Sequence, residues 1–204
     1  NGLIKNWRDE WGLGDFPFYF VQLAPNGSLG QGNGTSQAFL REAQLRTMLS
    51  VENTGMAVTL DIGSTITNHP PEKLLIGKRL AYWALAKNYG FNGLPHSGPV
   101  YESMKVKNNK VYVNFKFAKN GVTSYGKPLS GFEIAGEDKI FYSADASIDP
   151  HWSAGWENRS VLTLSNKNVP NPLYIRYGWK NYIEGALYNV EGLPASSFRS
   201  YDFD

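Results

Sequence analysis

Asp61 and His69 are the residues whose types and spacing best suit chemistry. Asp61 follows the apolar run Val58-Thr59-Leu60, and His69 stands in the next loop, directly before Pro70 and Pro71. A run of that kind is a strand, and groups just past the carboxyl end of a strand in a parallel α/β sheet reach the rim where such sheets gather functional groups. An imidazole titrates near neutrality, so at that rim His69 can take a proton from a substrate or a nucleophile and return it. The blander alternative is a solvated or capping loop histidine. Asp61 carries two readings as well: a carboxylate that fixes the tautomer of His69, or a cap on the turn that leaves the strand. The pair lacks its third member, because no convincing nucleophile appears in the chain.

Two stretches imitate one. Asp61-Ile62-Gly63-Ser64 has the look of a nucleophile turn. Such a turn feeds straight into a helix, whereas the β-branched and polar Thr65-Ile66-Thr67-Asn68 leads to the proline pair, so Ser64 is read as a loop residue. Gly30-Gln31-Gly32-Asn33 matches a Gly-Gln-Ser-Asn esterase motif with Gly in place of Ser, follows the wrong strand and has nothing to attack with. The aromatic residues raise a further option, since flat rings suit the apolar faces of sugars. Trp83 and Trp179 fall at apolar-periodic positions and read as core, while Trp152 and Trp156 lie in the Gly/Ser/Asn loop around His151 and are the better candidates for exposed contacts.

The elements that would position Asp61 and His69 alternate. Asn1 to Arg8 reads as the amphipathic start of a helix already under way, with no initiator Met, as in a processed or designed product. Phe18–Leu23 is a short apolar run bracketed by Pro17 and Pro25, suited to a strand buried on both faces. A Gly- and Asn-rich loop over 26–34 leads to a helix that Ser36 can cap, with Ala38, Leu40, Ala43, Leu45 and Met48 apolar and Arg41, Glu42 and Arg46 polar. Met56–Leu60 is the second strand. Pro70 and Pro71 open a helix lined by Ile76, Leu80, Trp83 and Ala84 and ended by Gly90. A right-handed crossover makes the strands parallel, so the 24–35 loop and the loop carrying His69 share the carboxyl edge. Two strands are too few to close a core, and residues 1–95 are expected to need further strands beside them.

From about Pro95 short strands follow one another: Tyr101–Val106, Lys110–Phe117, Gly131–Ala135, Phe141–Ile148, Ser160–Ser165 and Leu173–Trp179. Asn108-Asn109, Asn120-Gly121, Gly136-Glu137-Asp138 and Asn166-Lys167-Asn168 supply the turns. Val111, Val113, Phe115 and Phe117 alternate with less apolar neighbours, giving one buried face. The pattern describes an antiparallel β-sandwich over 96–204, almost without helix. Glu191 to Ser196 reads as an ordered tail packed on another surface.

Composition narrows the function classes. At 204 residues the chain allows one large core or two small ones, and a formal charge of +2 with dispersed basic residues gives no footprint for nucleic acid or a membrane. There is no cysteine, which removes disulfides, thiolate catalysis and thiolate metal sites. His69, His96 and His151 share no ligand spacing with one another, so no metal is expected. The sequons at Asn26, Asn33 and Asn158 are what chance gives in an Asn-rich chain.

Several segments together resemble one family. Phe16-Pro17-Phe18-Tyr19-Phe20-Val21-Gln22-Leu23-Ala24-Pro25, Leu40-Arg41-Glu42-Ala43-Gln44, Asn53-Thr54-Gly55-Met56-Ala57-Val58, His69-Pro70, Gly77-Lys78-Arg79-Leu80-Ala81 and Glu191-Gly192-Leu193-Pro194-Ala195-Ser196 look, in order, like the C-terminal half of a sialate O-acetylesterase-type carbohydrate esterase of the SGNH-hydrolase superfamily. The resemblance implies an α/β fold in which residues 1–95 are the end of a doubly wound parallel sheet and 96–204 a β-sandwich. It also implies ester hydrolysis on an acetylated carbohydrate, sialic acid-like, by a Ser nucleophile and a late His that corresponds to His69. The Ser motif would lie before Asn1, on an upstream segment or a separate chain, which makes the upstream half of the same protein the implied partner. No cofactor is implied, and the setting is read as secreted or periplasmic. Thr67 stands where the family usually places its acid, so the third member is Asp61, a backbone carbonyl or absent. The rival reading is a non-catalytic carbohydrate-binding or scaffolding module derived from a hydrolase.

Overall fold

A computed structural model describes residues 2–28, 32–149 and 161–202. His151, Trp152, Trp156 and Asn158, together with Gly30 and Gln31, lie outside the described residues. Among those that are described, α1 spans Gly2–Trp11, β1 Phe18–Val21, α2 Ser36–Ser50, β2 Thr54–Ala57 and α3 Lys73–Lys87. The alternation read from hydropathy is therefore present. None of the helices is long and apolar enough to cross a membrane.

α1 turns Ile4 and Arg8 inward. The Arg8 guanidinium donates to the carbonyls of Phe16 at 2.8 Å and Glu52 at 2.9 Å, tying the helix to the approaches of both strands. β1 and β2 pair in parallel, Phe18 opposite Thr54 through Val21 opposite Ala57. β2 starts two residues ahead of the expected Met56 and leaves the ladder after Ala57. Hydropathy reports burial and not pairing: Val58 and Leu60 are buried, but Leu60 gives its carbonyl to Gly185 N–H at 3.1 Å instead of to a strand. Gly55 is required by α3, because a Cβ there would lie 2.4 Å from the Trp83 indole. The doubly wound sheet expected of this half is present only as this two-stranded parallel pair among the described residues.

α2 departs from its expected polarity. Its inner face is Ala38, Arg41, Glu42, Leu45 and Met48, while Phe39, Leu40 and Leu49 are exposed. The 3.6-residue phase was legible, but two charged side chains occupy core positions. The Ser36 cap is also replaced: Ser36 is the first helical residue, Thr35 at the N-cap makes no side-chain cap bond, and Asn181 Oδ1 accepts the Gln37 N–H at 2.9 Å from 144 residues away.

Among the described residues the second half contains strands and no helix. β3 (Val100–Lys107), β4 (Lys110–Lys116), β9 (Val161–Ser165) and β8 (Asp145–Asp149) form one antiparallel sheet in that order, and β12 (Phe198–Arg199), β10 (Tyr174–Tyr177), β6 (Phe132–Ala135) and β7 (Tyr142–Ser143) form another. β5 (Val122–Thr123) pairs with β11 (Tyr188–Asn189). The β3–β4 hairpin turns at Asn108 and Asn109, both with positive φ, at 51° and 61°, the conformation for which asparagine is favoured. Phe141–Ile148, read as one strand, is two: Ala144 still donates to Phe132 O, and from Asp145 the chain pairs with β9 instead, a corner between sheets. Val111 and Val113 are buried as expected, but Phe117 has left the strand with φ 57° and is exposed. β5, β11 and β12 are too short for periodicity to reveal.

Val111, Val113, Leu162 and Leu164 of one sheet and Phe132, Ile134, Ile175, Tyr177 and Phe198 of the other meet in one hydrophobic cluster, which continues into Leu45, Met48, Met56, Val58, Leu60 and Trp83 of the first half. The core therefore runs across the change of element type near residue 95. The tail packs inward, with Leu193, Ala195, Ser196 and Ser197 all buried.

Candidate active site at the carboxyl edge of the parallel strands

The two loops expected to meet do so. Asn26 and Ser64 form a parallel bridge, Gly27 N–H donates to Ser64 O and Ser64 N–H to Pro25 O, each at 3.0 Å. Gly63 permits this, since a Cβ there would sit 2.4 Å from Pro25 O. Ser64 is thus a bridging loop residue, its hydroxyl accepting the Ile66 N–H at 3.2 Å, and not a nucleophile turn.

A third strand-like segment, from the β-rich half, completes the edge. Asn181 N–H donates to Gly34 O, Tyr182 N–H to Gly32 O at 3.0 Å, and Asn181 O accepts the Asn26 N–H at 3.0 Å. Gly185 N–H reaches Leu60 O from the same segment. What holds the segment is Arg41, wholly buried on α2. Its guanidinium donates to Ser197 Oγ at 2.9 Å, to Gly178 O at 2.9 Å, and to the carbonyls of Lys180 and Asn181. Burial without a carboxylate lowers Arg41 to about 10, still charged at neutral pH. Glu42, its neighbour, instead receives Arg199 Nε at 2.9 Å and binds β12 to the helix. Gln22, just past β1, donates to Arg41 O and to Ser196 Oγ at 2.6 Å.

Asp61 has a partner other than His69. Arg79 of α3 approaches it end-on, Nη1 at 2.8 Å from one carboxylate oxygen and Nη2 at 2.7 Å from the other, and Nη1 also donates to Val58 O at 2.7 Å. Both side chains are almost fully buried. The expected role as orienter of His69 therefore competes with a bidentate ion pair that already uses both oxygens. Sequence reading passed over Arg79, whose position in the inward phase with Ile76 and Trp83 was the available signal.

His69 is exposed. Its N–H donates to Thr67 Oγ1 at 3.1 Å, and its ring makes no hydrogen bond among the described residues. Thr67, which the resemblance sets at the acid position, thus bonds the backbone of His69. His96 is elsewhere, its ring stacked edge-on against Trp83 at 4.6 Å, with Nδ1 donating to Leu94 O at 3.1 Å. No three His, Cys, Asp or Glu side chains come together as metal ligands among the described residues. The arrangement can supply a proton acceptor with an unobstructed imidazole, over a rigid rim of backbone from three segments.

No protein-family model matches this chain, and no curated protein matches it. Among solved structures it is similar to the crystal structure of a carbohydrate acetylesterase from Xanthomonas citri, with 34% sequence identity and a TM-score of 0.83 over 98% of this chain. The likeness covers 44% of that protein, so this chain spans less than half of its length.

Proposed function

We propose that the chain is the C-terminal part of a carbohydrate O-acetylesterase of SGNH type that acts on sialic acid-like acetylated sugars, with His69 as general base and the Ser nucleophile on an upstream segment or separate chain. The observation that carries this reading is the 34% identity to a carbohydrate acetylesterase along nearly the whole chain, and the exposed, unbonded ring of His69 at the carboxyl edge supports it.

In this mechanism His69 takes the proton of the Ser hydroxyl as that oxygen attacks the acetyl carbonyl. The tetrahedral oxyanion collapses with cleavage of the ester C–O bond, and the same proton passes from His69 to the departing sugar oxygen. His69 then deprotonates water, which releases acetate and restores the Ser. Asp61 serves this chemistry by fixing the start of the His69 loop through Arg79, and a backbone acceptor or no acid orients the imidazole.

The test uses the assembly that contains the nucleophile. His69→Ala is expected to lower turnover of 4-nitrophenyl acetate and of an acetylated sugar by roughly three to six orders of magnitude, with substrate affinity little changed. Full activity in that variant would return the chain to the non-catalytic carbohydrate-binding or scaffolding reading. Asp61→Asn separates the two roles of the acid: a loss near that of His69→Ala with an unchanged melting temperature makes Asp61 the orienting carboxylate, and a loss of activity that tracks a fall in melting temperature makes it the anchor.

A further inference from the structure

Trp152 and Trp156, the candidates for exposed aromatic contacts in the sequence, lie outside the described residues, and among those described Tyr182 is placed for such a contact. Tyr182 belongs to the β-rich half yet sits at the carboxyl edge between the two loops of the α/β half. A Cβ placed on Gly27 would lie 3.3 Å from Tyr182 Cβ and 3.3 Å from Thr65 Cα, and one on Gly32 would lie 3.3 Å from Tyr182 Cβ. The glycines keep both loops low enough for the tyrosine to pass over them. Thr65 starts the exposed stretch that ends at His69, so the ring stands beside the loop carrying the proposed base.

Its backbone cannot drift. Tyr182 N–H is held by Gly32 O, and its neighbour Asn181 is bonded through N–H, carbonyl and side chain to three other segments, with Arg41 holding the chain immediately before it. The side chain itself is half-exposed, and its hydroxyl has no hydrogen-bond partner among the described residues. Two other tyrosines of this half are occupied: Tyr177 is buried with its hydroxyl accepting two N–H groups, and Tyr188 is bonded to Lys127. A half-exposed ring on a held backbone, its hydroxyl unpaired among the described residues, suits a pyranose, because the sugar's C–H face stacks on the ring and its hydroxyls bond the phenol at little entropic cost.

We propose that Tyr182 is a substrate-contacting residue that selects for the sugar part of the ester, by stacking and by a hydrogen bond from or to its hydroxyl; this rests on the esterase reading for the identity of the ligand. The active assembly is compared on a methyl glycoside carrying one O-acetyl group and on 4-nitrophenyl acetate. Tyr182→Ala is expected to lower the ratio of kcat/KM values, sugar over aryl ester, by roughly tenfold, and Tyr182→Phe by a smaller factor that isolates the hydroxyl. Equal losses on both substrates would overturn the proposal. A second arm does not depend on turnover: the same assembly is titrated with the unacetylated methyl glycoside while the Tyr182 ring resonances are followed by NMR. A saturable shift that Tyr182→Ala abolishes at the neighbouring Gly27 and Gly32 amides supports the contact, and no shift at Tyr182 overturns it. If the glycoside binds at Tyr182 but His69→Ala leaves turnover intact, the role of His69 as general base falls and the sugar contact stands.

Discussion

The two halves of one loop are built to opposite standards. Val58 to Ser64 is tied at almost every step: Arg79 holds Val58 O and Asp61, Gly185 holds Leu60 O, and Pro25 and Gly27 bracket Ser64. Among the described residues Thr65 to His69 has only local turns, Ile66 N–H to Ser64 Oγ and His69 N–H to Thr67 Oγ1, and Ile66 and His69 are exposed. The difference teaches where rigidity is invested. The rim that any bound group must meet is fixed from three directions, while the residue proposed to move a proton is left with its ring unoccupied.

The sharpest way to break that contrast is to cut the rigid half. Arg79→Leu would leave the Asp61 carboxylate buried with neither oxygen paired, and such a loss costs about 3–5 kcal/mol. The measurement is denaturant unfolding, and a change below about 1 kcal/mol would mean that the ion pair opens to solvent and the rim is not tied as described. Asn181→Ala is expected to cost less, about 1–2 kcal/mol, because it removes the buried Oδ1 that accepts from Gln37 N–H and Ser36 Oγ at the start of α2 while the backbone bonds of residue 181 remain. If its loss were instead within about 0.3 kcal/mol, α2 would be finding its cap elsewhere, with Ser36 the first candidate.

These variants also mark how far sequence alone could go. The strand–helix order, the shared carboxyl edge and the change to short strands near residue 95 were legible, because each follows from period and turn chemistry within a dozen residues. Arg41 and Arg79 were half legible: each stands in the inward phase of its helix, which signals a bonded buried charge, but the carbonyls that bond Arg41 come from 137 to 140 residues away and no local pattern contains them. Tyr182 and the Asn181 cap were not legible, since nothing in Lys180-Asn181-Tyr182 points to Gly27, Gly32 or α2. The sheet switch after Ala144 was hidden for a related reason, as an uninterrupted strand pattern does not say when its partner changes.

A smaller effect should appear with pH, and it sits under the rim. Burial pushes the His96 imidazole below its ordinary value of 6.5, with the charge of Lys87 acting in the same direction and the bond to Leu94 O partly opposing both. With its Nδ1–H given to that carbonyl, Nε2 is buried without a partner, so the neutral ring is the folded form. The unfolded chain then binds the proton more readily than the folded one. The stability this contributes is complete above about pH 6.5 and is lost as pH falls below it, with a slope of at most about 1.4 kcal/mol per pH unit. His96→Phe, which keeps a ring against Trp83 and Phe117, should flatten the fall in melting temperature between pH 6.5 and 5; an unchanged profile would assign that fall to other groups.

The smallest effect on stability belongs to the residue with the largest proposed effect on activity. The His69 side chain is exposed and makes no hydrogen bond among the described residues, and substitution at such a site is usually within about 0.5 kcal/mol. His69→Ala keeps the N–H that bonds Thr67 Oγ1, so the local turn survives. Unfolding free energy should therefore stay within about 0.5 kcal/mol of the parent while Arg79→Leu loses several. This near-zero result is what makes the activity measurement interpretable, since any loss of turnover in His69→Ala then belongs to the imidazole and not to a loosened rim. A destabilisation above about 1.5 kcal/mol would show that His69 carries contacts beyond those among the described residues, and the free half of the loop would have to be counted with the tied one.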